Sequence, residues 1–361
     1  MRFKLHSDKF RRVVLPTALV LVLLLIISAC GNTRTGEIKV GPAITFEVPA
    51  FPRTGSHAVQ VFSEMHFSPA YRSQEIPRIL PPEGSVPVIT GFQGMTEGGD
   101  ITTLGRGGSD TTGVALAVAL NANQCEIYTD VEGVFTTDPR ICPKAKLIER
   151  ISFEEMLELS STGAKVLQLR SVEYASKNNM PIRVLSSFKE GNGTLVCEEG
   201  NDMEKPVVSG ISSIDNEAKL TIRGVPDIPG VAAKILGPIS DSDIDVDVIV
   251  QNISAENNTD FTFTVKQEDA SRAKEILENT SKSLGGGLIE LDDDIAKISI
   301  VGRGMRGQSG IASKMFESLA DNEINILMIT TSEIKISVVI RKDLQEKAVN
   351  ALHNAFELDK D

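Results

Sequence analysis

Hydrophobic and polar positions change their rhythm four times along the chain. Val13 to Ile27 is a charge-free apolar run, preceded by Arg2, Lys4, Lys9, Arg11 and Arg12 and closed by Ile27-Ser-Ala-Cys30. Residues 31–85 have no regular period and are rich in Pro, Gly and Ser, as expected of an extended linker. From residue 86 to 200, short apolar runs alternate with helical spacing. The pattern predicts strands at Val86–Thr90, Cys125–Thr129 and Ile182–Ser186, and helices at Asp110–Asn121, Phe153–Ser160 and Ala164–Ser176. Such alternation argues for an α/β layer with parallel strands, whose ligands collect beyond the strands' carboxyl ends.

Residues 207–361 repeat. Lys219-Leu-Thr-Ile-Arg-Gly224 aligns with Lys297-Ile-Ser-Ile-Val-Gly302, Pro229-Gly-Val-Ala-Ala-Lys-Ile235 with Ser309-Gly-Ile-Ala-Ser-Lys-Met315, and Asp243-Ile-Asp-Val-Asp-Val-Ile-Val250 with Glu323-Ile-Asn-Ile-Leu-Met-Ile-Thr330. Each copy continues into a strand, Phe261–Val265 or Lys335–Ile340, and a further helix, which predicts two ferredoxin-like β-α-β-β-α-β units. By itself such a repeat is compatible with amino-acid sensing or with an oligomerisation block.

With 361 residues there is room for two or three domains, and a net charge of −12 argues against a general nucleic-acid or anionic-membrane surface. The four cysteines, Cys30, Cys125, Cys142 and Cys197, form no Cys-x-x-Cys pair and no haem-attachment site.

The candidate chemistry begins at Leu104-Gly-Arg-Gly-Gly-Ser-Asp110. Glycines there let the backbone approach an anion, Arg106 offers a two-pronged donor, and Ser109 or Asp110 could cap the apolar helix that follows. Cys125-Glu-Ile-Tyr-Thr-Asp130 then places a carboxylate just beyond a strand. Taken singly, Arg106 reads equally as a surface arginine, Asp130 as a turn former and Lys165 as a solvated helix charge.

Taken in order, with Gly91-Phe-Gln-Gly94 before and Gly163-Ala-Lys-Val-Leu-Gln-Leu-Arg-Ser-Val-Glu173 after, these motifs resemble the C-terminal part of the aspartate kinase catalytic domain, within the amino-acid kinase family. The resemblance implies a partial amino-acid-kinase α/β sandwich over 86–200, followed by two ACT domains at 207–284 and 285–361. It also implies transfer of the γ-phosphoryl of ATP, with Mg²⁺, to the side-chain carboxylate of L-aspartate, in the cytoplasm, as a step toward lysine, threonine and methionine. On this resemblance Arg106, Gly107, Gly108 and Ser109 bind aspartate, and Thr129, Asp130, Phe135, Asp138, Arg140 and Lys165 bind the nucleotide. Asp227, Pro229, Gly230, Gln251, Asn252 and Asp260 form an effector site for lysine, threonine or both. Pairing would be as a homodimer through the ACT domains, or with complete kinase chains.

The family's Lys-Phe-Gly-Gly-Thr-Ser type phosphate loop occurs nowhere in the sequence. Loss of one such transition-state contact is worth roughly 3–4 kcal/mol, so little or no turnover is expected from this polypeptide alone, and no catalytic residue is assigned. A sensing subunit without catalysis is therefore a second reading.

The basic start, apolar run and Ser-Ala-Cys30 read as a lipoprotein-type signal over 1–30 with Cys30 lipidated, or as a single anchoring helix. Ser63 to Val88 resembles the leader of membrane-tethered c-type cytochrome lipoproteins of the alternative complex III kind, without any haem motif and with His66 as a surface histidine. That resemblance implies a lipoprotein component of an electron-transfer complex as a third reading. An exported start and an ATP-dependent continuation conflict, so a fusion with a junction near Val86-Pro-Val-Ile-Thr-Gly91 is expected.

Overall fold

The computed structural model describes residues 2–5, 46–47, 85–86, 89, 91–95, 101–198, 207–253 and 258–360. The apolar run, Cys30, His66 and most of the linker lie outside them. Two compact units are present, Met1–Tyr128 with Tyr174–Arg183, and Thr129–Glu173 with Val184–Asp361.

In the first unit, β1 (Arg2–Leu5) runs antiparallel to a later strand, and β2 (Phe46–Glu47) pairs with β3 (Ser85–Val86). Of the expected strand Val86–Thr90, Val86 lies in β3, Ile89 is in no regular element, and the rest lies outside the described residues. A hairpin of β4 (Gln93–Met95) and β5 (Ile101–Thr103), not anticipated because each strand has three residues, leads into α1 (Gly108–Ala119). Val114, Ala115, Leu116 and Ala117 of α1 are all buried, in keeping with a helix that is apolar almost all round. The partner of β1 is β6 (Cys125–Thr129), formed as predicted. Its buried Glu126 accepts from Gln124 Nε2 at 3.1 Å and from the Tyr128 hydroxyl at 2.9 Å.

The second unit opens with β7 (Arg150–Ser152) and α2 (Phe153–Ser161). A capping box starts α2: Ser152 Oγ accepts from the Glu155 N–H, and Glu155 Oε2 accepts from the Ser152 N–H at 3.2 Å. α3 (Leu169–Lys177), which ends in the first unit, begins five residues later than the expected Ala164. Gly163 (φ 112°) ends α2, and the Ala164 N–H bonds back to Leu159 O, so the chain turns before it can resume a helix. β8 (Ile182–Ser186) matches its prediction and lies beside β9 (Thr194–Cys197), which pairs in parallel with β7.

The repeat folds as two four-stranded antiparallel sheets. After β10 (Gly210–Ile214) come β11 (Glu217–Pro226), α4 (Val231–Ser240), β12 (Val246–Ile253), β13 (Asn258–Lys266), α5 (Ala270–Ser283) and β14 (Leu288–Asp292). Then follow β15 (Ile295–Val301), α6 (Ile311–Asp321), β16 (Met328–Thr331), β17 (Lys335–Arg341) and α7 (Gln345–Ala355). Strand order is β12-β13-β11-β14 in one sheet and β10-β15-β17-β16 in the other. The division at residue 284 is therefore corrected. The first copy runs through β14, and the second takes its fourth strand from β10, ahead of the first copy. β10 has five ladder partners on β15, from Gly210↔Val301 to Ile214↔Lys297, so the first copy is an insertion within the second.

Each copy buries its helices on one sheet face. Leu220, Ile222, Ile235, Phe261, Phe263 and Leu277 form the first core, and Ile298, Ile300, Met315, Leu319, Val338 and Leu352 the second. On the helix-free side, Val248 of the first copy packs with Ile295, Met328 and Val339 of the second. There Lys297 is buried, with Nζ 2.6 Å from Glu217 and also bonded to Asp247. Burial opposes the Lys297 charge, but the two carboxylates outweigh it and raise its pKa.

Two outcomes follow from this packing. Phe263→Ala empties a fully buried site and should cost about 3–5 kcal/mol, read as a lower urea midpoint at unchanged slope. Cys125 is 1% exposed, and burial, with Asp110 and Glu126 nearby, pushes its thiol up to about 12. It should resist iodoacetamide in the folded chain and react once urea unfolds it.

Candidate functional site

The proposed aspartate residues share one loop of the first unit. The Leu104 N–H bonds to Phe92 O at 3.0 Å, tying the hairpin's exit to its entry and presenting residues 105–109 at the start of α1. The helix is capped by Gly107 in the left-handed region (φ 76°), with no side chain capping it. Ser109 and Asp110 thus lie within the first turn rather than at the cap, a correction forced by the backbone turn at Gly107. A Cβ on Gly108 would come within 2.7 Å of Leu104 Cβ, so the loop closes on itself only with glycine there. The Thr111 and Thr112 hydroxyls donate back to Gly107 O (3.1 Å) and Gly108 O (2.8 Å). Arg106 is exposed, Gly107 and Ser109 half-buried and Gly108 buried, which leaves the guanidinium on the surface of the loop.

The proposed nucleotide residues fall in the second unit. Thr129 Oγ1 donates to Asp130 Oδ1 at 3.0 Å where β6 ends. Phe135 is half-buried in an isolated bridge to Leu147. Asp138 accepts from the Arg140 guanidinium (2.7 Å from Nη2) and from the Arg140 N–H (2.9 Å), and this pairing holds its carboxyl below the usual range. Lys165 adds to that lowering, and the Arg140 pKa is raised chiefly by Asp138, with Asp130 adding a smaller part. Asp130, Asp138, Arg140 and Lys165 thus share one electrostatic neighbourhood. Lys165 sits in the exposed turn between α2 and α3 rather than on a helix, for the reason given at Gly163.

Sequence reasoning missed a shallow cleft lined by Glu132, Leu147, Ser186, Lys189, Glu190, Gly191 and Gly193. Lys189 and Glu132 pair across it, and the Ser187 N–H bonds to Thr129 O at 2.7 Å, which ties the loop after β8 to the proposed nucleotide strand end. The legible signal was Ser186-Ser-Phe-Lys-Glu-Gly-Asn-Gly193, a glycine-containing loop following a strand. Among the described residues, no group of three or more His, Cys, Asp or Glu side chains is arranged to hold a metal ion.

The proposed effector residues gather at one end of the first ferredoxin-like copy. β11 ends, α4 starts, β12 ends and β13 starts there, with Pro226 opposite Asn258 and Asn252 opposite Asp260. Asp227, Pro229, Gly230, Gln251 and Asn252 are exposed. Asp260 does different work. Its Oδ1 accepts from the Gly224 N–H at 2.9 Å, and Oδ2 lies 3.9 Å from Arg223, so it braces the bulge between Ile222 and Val225.

The second copy's corresponding turn is engaged by the chain itself. The Arg303 N–H donates to Glu155 Oε1 at 3.1 Å, Arg303 Nε lies 3.2 Å from Glu154, and Arg306 pairs with Glu154 and Glu333 at 2.9 Å each. The two copies share a backbone and present different ends.

Comparison with known proteins finds a kinase part followed by ACT parts, with the kinase match starting at residue 50, inside the stretch expected to be a linker, rather than at 86. The amino acid kinase family matches residues 50–186, and the ACT domain family matches residues 220–280 and 298–356. The aspartate kinase of Pseudomonas putida is 62% identical over 278 residues, covering 77% of this chain and 68% of its own length. E. coli aspartokinase III, solved in complex with aspartate and ADP, superposes with a TM-score of 0.62 at 29% identity, over 73% of this chain and 59% of that one. The same enzyme solved with lysine and aspartate gives 0.58 at 30% identity, over 74% and 59%. This chain thus spans about two thirds of the Pseudomonas relative, and by that extent of identity it belongs to the aspartate kinase family.

Proposed function

We propose that the chain carries the aspartate kinase reaction, phosphoryl transfer from Mg-ATP to the side-chain carboxylate of L-aspartate, under feedback from lysine, threonine or both. One carboxylate oxygen attacks the γ-phosphorus, the bond to the β-phosphate oxygen breaks, and 4-phospho-L-aspartate and ADP leave. The observation that carries this reading is the Leu104–Ser109 loop, where a backbone-capped helix start and the exposed Arg106 offer an anion both amide donors and a guanidinium fork. Arg106 to Ser109 would hold aspartate. Thr129, Asp130, Phe135, Asp138, Arg140 and Lys165 would hold the nucleotide, whose Mg²⁺ arrives with it as part of the substrate. The exposed end with Asp227, Pro229, Gly230, Gln251 and Asn252 would receive the effector. A carboxylate there suits an α-ammonium, and loop amides suit an α-carboxylate.

The catalytic part over 86–200 and the ACT-type pairing of chains belong to the same proposal. The lipoprotein-type start is carried by the sequence alone, and Cys30 and the apolar run lie outside the described residues, among which no helix is long and apolar enough to cross a membrane. Metabolic labelling with a fatty acid, lost in Cys30→Ser, would support anchoring; absence of label from the wild type would refute it.

The test of the main reading is ADP release by the full chain with Mg-ATP, with and without L-aspartate. Slow aspartate-dependent turnover at most is expected, with its kcat/KM reduced further, at least about a hundredfold, in Arg106→Ala. A folded chain that binds lysine or threonine without turnover would instead be a sensing subunit, in line with the missing Lys-Phe-Gly-Gly loop. Asp227→Ala should weaken effector binding about tenfold by calorimetry, and unchanged affinity would remove Asp227 from the site.

A further inference from the structure

The proposed nucleotide loop is held at both ends by α7, the last helix of the chain, through residues outside the sites described above. At the leading end, Thr136 follows Phe135 and is buried; its hydroxyl lies 3.0 Å from Nε2 of His353 on α7 and accepts from the Lys146 N–H at 3.0 Å. At the trailing end, the Ile141 and Cys142 N–H groups both close on the Asp138 carbonyl at 3.0 Å, so the turn carrying Asp138 and Arg140 finishes on these two residues. Asn350 Nδ2 donates to Ile141 O at 3.1 Å, and Cys142 is packed in the core formed by Val349, Leu352 and Leu358. Lys144 reaches Asn354 at 3.2 Å and Asp359 at 3.8 Å.

His353 is fully buried, and its Nδ1 has no hydrogen-bond partner among the described residues. The polar and charged groups that face the ring are Thr136, Lys144 and Asp359. A neutral imidazole can satisfy Thr136 with Nε2, whereas an imidazolium would bring a second N–H donor into a place without an acceptor for it.

We propose that His353 is a positioning residue for nucleotide binding: neutral and bonded to Thr136, it fixes the loop bearing Phe135, Asp138 and Arg140, so that the second ferredoxin-like copy sets nucleotide affinity through α7. The inference rests on the nucleotide reading of that loop. It also carries a pH dependence. Burial, with Lys144 adding and Asp359 opposing, lowers the His353 pKa from its ordinary 6.5. The unfolded chain then binds a proton that the folded one does not as pH falls below 6.5. The seat is therefore complete above that pH and weakens below it.

The test uses the full chain, its His353→Ala and His353→Gln variants, amide hydrogen exchange, and calorimetry with Mg-ADP. In His353→Ala, exchange across residues 134–146 should quicken about tenfold and Mg-ADP affinity fall about tenfold, with exchange across 217–253 unchanged. Glutamine, which can still bond Thr136 but does not titrate, should restore most of the affinity. It should also abolish the loss of Mg-ADP affinity expected of the wild type as pH falls from about 6.5 to about 5. Unchanged protection of 134–146 in His353→Ala overturns the proposal, as does equal loss of protection across 217–253. Quickened exchange at 134–146 in a chain whose wild type binds no Mg-ADP would sink the nucleotide reading while leaving the seat on α7 intact.

Discussion

The carboxylate of Glu155 is the joint on which the second unit turns. It is buried, and each oxygen serves two donors: Oε2 takes the Ser152 N–H and hydroxyl, at 3.2 and 2.6 Å, while Oε1 takes the Ser209 hydroxyl at 2.6 Å and the Arg303 N–H at 3.1 Å. One group thereby caps α2, anchors the approach to β10 and holds the turn after β15. A buried carboxylate is tolerable only when its lone pairs are filled, and here the partners come from three separated stretches of chain. Ser212 Oγ to Thr162 Oγ1 at 2.5 Å and Lys335 to Glu158 at 2.8 Å extend the same contact along α2.

Insertion of one ferredoxin-like copy within the other follows from the same geometry. β10 completes the second sheet before the first copy is reached, so the segment entering the repeat is both the link to α2 and a strand of the second sheet. Any shift of α2 is then felt first by the second copy. The first copy joins it through the Val248, Ile295, Met328 and Val339 cluster and through Lys297 between Glu217 and Asp247. The buried Lys297–Glu217 pair adds little net stability, because desolvation offsets attraction, but removing either partner leaves an uncompensated buried charge and so fixes how the two sheets meet.

The two copies show how one backbone supports two uses. In the first, the turn from Val225 to Gly230 is mostly exposed and its far strands end in amides and hydroxyls. In the second, the equivalent turn carries Arg303 and Arg306, which are paired to the acidic first turn of α2, and its last helix supports the loop from Phe135 to Cys142. The copy that grips the kinase segment is thus distinct from the copy whose end stands open.

Local chemistry made several elements legible in advance. β6 and β8 have the limits their apolar runs predicted, and the paired motifs of the repeat announced two β-α-β-β-α-β units. The glycine-and-arginine loop ahead of an apolar helix was equally plain, because backbone freedom and helix spacing are properties of neighbouring residues. Strands of three or four residues such as β5, β7 and β9 are too short to show a period, and the late start of α3 depended on how Gly163 turned the chain. Above all, β10 belonging to the far copy, Asp260 serving its own backbone, Glu155 joining three segments and His353 meeting Thr136 across 217 positions are pairings between distant residues. Sequence by itself determined the longer helices and strands and the glycine turn ahead of α1. Tertiary structure alone decided which buried polar groups would satisfy one another, because that choice depends on burial and proximity that no local pattern encodes.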